Sequence, residues 1–190
     1  MRRRHALLAV GSALSVLLSG CLGNTPEPAT ETPTSTPERL LYDCDAANRP
    51  GPPEPDTDPP GDVERYTYPT QPESLSNEEI RPYANRYERA YRLNKLHSEW
   101  GENLNHASVS VEDTTTYDAP DGPAIAQVKH TYDAEIEGDD GPITIDSPTI
   151  YAAYYVDDDV VLRAVNKELQ EDASRLVADP MEQGQPVECF

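Results

Sequence analysis

Positive charge is scarce in this chain of 190 residues. Its 15 Lys+Arg stand against 35 Asp+Glu, and only three of the basic residues are lysines. Three arginines lie within residues 1–20, so the chain from residue 21 onward has 12 Lys+Arg, 35 Asp+Glu and a net charge of −23. Repulsion among so many carboxylates destabilises a compact fold at low salt, and it argues against nucleic acid or an anionic membrane face as a partner.

Motifs for common chemistries are also missing. The sequence contains no Gly-x-Ser-x-Gly nucleophile motif, no phosphate-binding loop and no dinucleotide-binding fingerprint. His97 and His106 are too far apart for a helical zinc-binding pair, and no Cys-x-x-Cys is present. We therefore expect neither a metal site nor a cofactor.

The N-terminus carries a targeting signal. A positive segment (Arg2, Arg3, Arg4) precedes an apolar run over 6–18, which is shorter than the roughly 20 residues needed to span a bilayer. Leu18-Ser19-Gly20-Cys21 resembles the lipobox of lipoproteins. This resemblance implies that residues 1–20 are removed and that Cys21 carries a lipid, which anchors the protein in the cell membrane, facing outside. An ordinary secretory signal is the alternative.

The composition of the exported chain resembles that of proteins from halophilic archaea, which are rich in acids and poor in lysine. This resemblance implies adaptation to high salt, since the Debye length falls to about 3 Å at 1 M and the carboxylates no longer repel one another strongly. An acidic surface made for one cationic partner is the alternative. The acids are spread along the whole chain, which favours salt adaptation.

Three cysteines are present, and two remain once Cys21 is assigned to the lipid. Cys44 and Cys189 are then the only pair, in an oxidising compartment where disulfides persist. We expect a disulfide that ties the start of the domain to its end. Two free thiols or a metal site are the alternatives.

Proline divides the chain into segments. Residues 21–41 are rich in Thr and Pro and are expected to form a disordered tether, because they contain too few apolar residues for a core. Residues 42–62 form a second proline-rich arm, and residues 63–190 form the folded domain.

The clearest helix begins at Ser76, where Ser76 and Glu79 form a capping-box pattern and Leu75 and Ile80 a hydrophobic staple. It is predicted to run to about residue 100, with Pro82 weakening its first turn. Asn94 is expected to be buried with a hydrogen-bond partner, because it lies on the apolar stripe of this helix. The stripe consists of Ile80, Tyr83, Ala84, Tyr87, Ala90, Tyr91 and Asn94.

Alternating apolar residues predict strands over 107–117, 124–136, 143–156 (interrupted near Pro148) and 160–165. A short helix through 169–177 and a loose end at Cys189 follow. One helix before four strands in successive hairpins predicts an α+β fold in which the helix packs on a curved four-stranded antiparallel sheet.

This order of elements resembles the cystatin-like and NTF2-like folds. Tyr87-Glu88-Arg89-Ala90-Tyr91 on the helix and Tyr154-Tyr155-Val156 in a strand are similar to uncharacterised haloarchaeal lipoproteins, a resemblance that implies no particular activity.

His130 is the best single candidate for a site, because it lies on the apolar face of the longest strand with Tyr132. In an NTF2-like pouch, a His facing a carboxylate could transfer protons. The alternative is a structural, hydrogen-bonded His, and no Asp or Glu is predicted on that face of the strands. We therefore predict a non-enzymatic binding or interaction module for an unknown protein or small molecule, with an NTF2-like enzyme using a pouch around His130 as the alternative.

Overall fold

The computed structural model describes residues 44, 51–55, 66–119, 122–123, 125–166 and 175–190, all within the unit Pro37–Phe190. The predicted signal peptide, Cys21 and the predicted tether lie outside the described residues. The described elements are α1 (Asn77–Trp100), β1 (Leu104–Tyr117), β2 (Ile125–Gly138), β3 (Gly141–Asp146), β4 (Ile150–Val156), β5 (Val160–Asn166), α2 (Pro180–Gln183) and β6 (Gln185–Cys189).

The predicted α+β class is confirmed, with one long helix packed on an open antiparallel sheet. The expected number of strands is wrong, because the described residues form six strands rather than four. Their order is β1-β2-β4-β5-β6, and β3 pairs with β2 as well.

One of the two extra strands arises where the third predicted strand divides. Its halves are β3, which pairs with residues 133–138 of β2, and β4, which pairs with residues 125–130. Between them Ser147 holds the chain against β2: its amide donates to Tyr132 O at 2.9 Å, and its hydroxyl accepts from Tyr132 N at 2.7 Å. The interruption near Pro148 is therefore confirmed, and both halves lie along the same edge of β2.

The other extra strand is β6, at the end of the chain that was expected to be loose. Asp179 caps α2 by accepting a hydrogen bond from Met181 N at 2.8 Å, and Pro180 is the first helical residue. The chain then turns at Gly184 into β6, which runs antiparallel to β5. The predicted C-terminal helix lies partly outside the described residues, and its described part, 175–177, is not helical.

The expected disulfide is present, since the sulfur atoms of Cys44 and Cys189 are bonded. Cys189 is the last residue of β6, so the bond fastens the beginning of the domain to an edge strand. Nearby, residues 51–55 of the proline-rich arm contact the domain, where the Tyr68 hydroxyl donates to Pro53 O at 2.9 Å.

Helix α1 begins where the sequence predicted, with Ser76 as its N-cap. The capping box is wrong in one respect: the Ser76 side chain makes no capping hydrogen bond, and its hydroxyl lies 3.1 Å from that of Ser74. The Ser76 carbonyl instead accepts from the amides of Glu79 and Ile80. Pro82 does not end the helix, which continues to Trp100.

The polar residue of the helical stripe has the partner that we expected. Asn94 is buried, donates through Nδ2 to Tyr66 O at 2.8 Å and accepts through Oδ1 from Tyr66 N at 3.3 Å. These two hydrogen bonds hold the segment 66–70, which is neither helix nor strand, alongside α1.

The sheet is covered on both faces. The face toward α1 holds the larger core, and the opposite face is covered in part by the segment after residue 175, where Gln127 Oε1 accepts from Val177 N at 2.7 Å. Strand β4 is consequently buried along its entire length. The larger core contains Ile80, Tyr83, Ala84, Tyr87, Ala126, Val128, Ala152, Tyr154, Val156, Val161 and Val187.

Candidate functional site

His130 lies in the middle of β2, on the face toward α1, and is completely buried. A carboxylate does face His130, and it belongs to the helix rather than to a strand. Glu88 Oε1 of α1 lies 3.1 Å from His130 Nε2. The expectation that no acid faces His130 was drawn from the strands alone and does not hold for the folded chain. The sequence could have indicated that Glu88 faces the core. It is four residues after Ala84 and three before Tyr91, and both of these lie on the apolar stripe of the helix.

Arg163 forms a bidentate salt bridge with the Glu88 carboxylate. Its Nε donates to Oε2 at 2.9 Å and its Nη2 donates to Oε1 at 2.8 Å. The Tyr154 hydroxyl donates to the same Oε2 and also accepts from Arg163 Nε at 3.0 Å. These two residues are direct partners on β4 and β5, so the sheet register places both beneath Glu88. Such fork-shaped pairing is the strongest arrangement of a guanidinium and a carboxylate.

A second arginine lies one helical turn beyond Glu88. Arg92 Nη2 is 4.0 Å from Glu88 Oε1, and its guanidinium lies over the Tyr132 ring, 4.8 Å from the ring centroid. Tyr132, which was predicted to share a pocket with His130, lies two residues after it on β2 and contacts this guanidinium through its ring. We call Glu88, Arg92, His130, Tyr154 and Arg163 the buried ionic cluster.

The environment of the cluster sets its protonation. Burial by itself raises the pKa of Glu88, but the charge and hydrogen bonds of Arg163, with smaller effects of His130 and Tyr154, bring it down to about 2. Burial lowers the pKa of His130 despite the opposing effect of Glu88. The pKa of Tyr154 is raised well above its ordinary value by burial and by Glu88. At neutral pH, Glu88 is therefore ionised, His130 is neutral and Tyr154 is protonated.

These properties favour a structural role for the cluster, in which it holds the helix on the sheet, over a role in proton transfer. A general acid or base works best with a pKa near the working pH and must reach its substrate. Glu88 is a permanent anion, and both Glu88 and His130 have no exposed surface. The buried ionic cluster instead joins α1 to β2, β4 and β5. Among the described residues, no group of three or more His, Cys, Asp or Glu side chains could hold a metal ion.

Two grooves border the outer side of α1. The first, of about 340 Å³, is lined by residues of α1 and β1, and two of them, Arg81 and Asp113, form an ion pair at 3.9 Å. The second, of about 420 Å³, lies between α1 and the segment 66–70. We call it the arginine groove, and it is lined by Tyr66, Thr67, Pro69, Thr70, Arg86, Arg89 and Ala90.

The arginine groove is a cationic surface on an acidic chain. Arg86 and Arg89 are exposed, and within the described part of the chain neither has a carboxylate partner. Among the residues that the structure describes, no Asp or Glu lines this groove. Its outer wall is held in place by Asn94 and, further along, by Gln71, whose Nε2 donates to Asp158 O at 3.0 Å. No motif in the sequence indicates a role for this pair of arginines.

Comparison with known proteins identifies no relative: no protein-family model, curated protein or solved structure matches the chain. None of the described helices combines the length and the apolar character needed to cross a membrane.

Proposed function

We propose that this protein is a salt-adapted binding or interaction module, anchored by a lipid on Cys21 to the outer side of the cell membrane. The observation that carries the binding role is the arginine groove, whose described lining holds two arginines and no carboxylate on a strongly acidic chain. The lipobox-like sequence supports the anchor, and the acidic composition supports both the salt adaptation and the absence of nucleic acid as a partner.

The scaffold suits this role because binding residues work best on rigid elements. Helix α1 carries both groove arginines on its outer side, and the buried ionic cluster fastens its inner side to the sheet. In this proposal the domain is a variant of the cystatin-like or NTF2-like arrangement whose interior is filled by the helix and the buried ionic cluster.

An enzyme with a pouch around His130 is the second candidate, and the 3.1 Å contact between His130 and Glu88 favours it. Such an enzyme would need the helix to move away from the sheet before a substrate could reach the pair, since both side chains are fully buried. A structural role for the contact between His130 and Glu88 requires no such movement of the helix and is therefore the simpler explanation.

A serine at position 21 is expected to release the protein from the membrane. In a host that processes lipoproteins, the wild-type chain should sediment with membranes and be extracted by detergent, whereas Cys21→Ser should be recovered in the soluble exported fraction. Ser19→Ala, which keeps a small residue two positions before the cysteine, should behave as the wild type. Equal membrane retention of Cys21→Ser and wild type would contradict lipid anchoring.

Ligand binding is expected to raise the melting temperature of the protein in concentrated KCl. A ligand present at 100 times its Kd stabilises the fold by about 2.7 kcal/mol, which shifts the midpoint by several degrees. A panel of amino acids, sugars, nucleobases and peptides should yield a shift that Thr67→Trp abolishes by filling the arginine groove. Ser110→Trp on the exposed surface of β1 is the control.

The same panel separates the two candidate functions. A shift that survives Thr67→Trp but disappears in a folded His130→Ala variant would favour the enzyme. A shift that both variants retain would place the ligand elsewhere and contradict the proposed site.

A further inference from the structure

We propose that the arginine groove binds an extended acidic peptide of a partner protein, with carboxylates of that peptide held by Arg86 and Arg89. This inference rests on the proposed binding function and specifies its ligand. Its starting point is the spacing of the two arginines, which are three residues apart on α1 and thus neighbours on one face, with Cβ atoms about 5–6 Å apart.

That spacing matches an extended chain. In such a chain, side chains at i and i+2 point to the same side and lie about 7 Å apart, since each residue advances about 3.3 Å. Two acidic residues in alternate positions can therefore each meet one arginine. A guanidinium binds a carboxylate through two parallel hydrogen bonds, a geometry that gives direct contact as well as charge attraction.

The opposite wall of the groove also suits a peptide. Segment 66–70 is neither helix nor strand, and it contributes Pro69 and the exposed residues Thr67 and Thr70 to the groove lining. These groups can contact a chain along its length, whereas a compact anion would use the arginines alone. The groove volume of about 420 Å³ is within the range of ligand sites, about 300–1,000 Å³.

The positive charge of the groove favours a negatively charged partner. Elsewhere on the described surface of α1, basic side chains already face acids, as Arg81 faces Asp113 and Lys95 faces Glu99 at 3.7 Å. Arg86 and Arg89 have no such partner in the described part of the chain, so an acidic peptide would not have to displace one. The many carboxylates outside the groove would repel the same peptide, and in concentrated salt, where the Debye length is about 3 Å at 1 M, this repulsion is short-ranged and leaves the groove accessible.

The test is fluorescence anisotropy with the full lipoprotein in detergent and a labelled Glu-Thr-Glu-Thr-Glu peptide, at about 0.1 M and 1 M KCl. Arg86→Gln/Arg89→Gln should raise the Kd about tenfold or more, because charge-assisted hydrogen bonds are lost. Arg81→Gln/Lys95→Gln removes two charges from the exposed Arg81 and the half-buried Lys95 of the same helix, outside the groove, and should change the Kd less than about twofold. The Gln-Thr-Gln-Thr-Gln peptide should not bind.

Four results would overturn the assignment. Equal weakening by the two double variants would mean general charge attraction. Competition by inorganic phosphate at concentrations equal to the peptide would indicate a compact oxyanion site. Absence of peptide binding, with a panel ligand still sensitive to Thr67→Trp, would leave the proposed function standing and remove only the acidic peptide. Absence of any ligand sensitive to Thr67→Trp would remove both.

Discussion

Replacing Glu88 with glutamine is expected to lower the free energy of unfolding by about 3–5 kcal/mol, the usual cost of removing one partner from a buried ion pair. Glutamine has nearly the shape of glutamate but no charge, so the buried guanidinium of Arg163 would be left uncompensated. Urea unfolding in concentrated KCl measures the change. The loss should appear in the denaturant midpoint without a change in slope, because the folded architecture is retained.

Glu79→Gln provides the matched control. It removes the same charge from the same helix at an exposed position, and its effect should stay within about 0.5 kcal/mol. If Glu88→Gln were as mild as Glu79→Gln, the buried ionic cluster would not be holding the helix on the sheet.

The cluster also predicts how Glu88 contributes to stability in acid. Its pKa is about 2 in the fold, below the ordinary value of 4.5, so the folded state favours the ionised form. The resulting stabilisation is complete above pH 4.5 and is lost as the pH falls through about 2. The difference in stability between wild type and Glu88→Gln should therefore shrink over this interval, which separates Glu88 from the many other acids of the chain.

Loss of the disulfide is the second large effect. Cys44 and Cys189 are 145 residues apart in sequence, and closing so long a loop stabilises the fold by roughly 5 kcal/mol in the chain-entropy model, an upper estimate. Cys44→Ser/Cys189→Ser should lower the free energy of unfolding by several kcal/mol on this basis. Strand β6 should lose hydrogen-exchange protection first, because it pairs only with β5 within the described residues.

A reducing agent supplies the control for the disulfide. It should destabilise the wild-type protein to the level of the double serine variant and leave that variant unchanged. An unchanged melting temperature of the wild type after complete reduction, verified by thiol titration, would show that the bond contributes little to the stability of the domain.

The elements with strong local signals were determined by the sequence itself. The start of α1 at Ser76, the burial of Asn94 and the alternating core face of β2 follow from short-range periodicity, which reports which side of an element is apolar. The disulfide could be predicted by elimination. Cys21 was assigned to the lipid, so Cys44 and Cys189 were the remaining pair. The break before β4 followed from Pro148.

The tertiary structure alone decided what these faces meet. Glu88 and Arg163 are 75 residues apart in sequence, and only the register of β4 against β5 and the position of α1 bring them together with His130. Strand β6 has a weak pattern of its own and forms because β5 offers an edge. The arginine groove likewise depends on segment 66–70 lying against α1 through Asn94. Periodicity identifies the face of one element, whereas a buried charge and a groove are properties of two elements in contact.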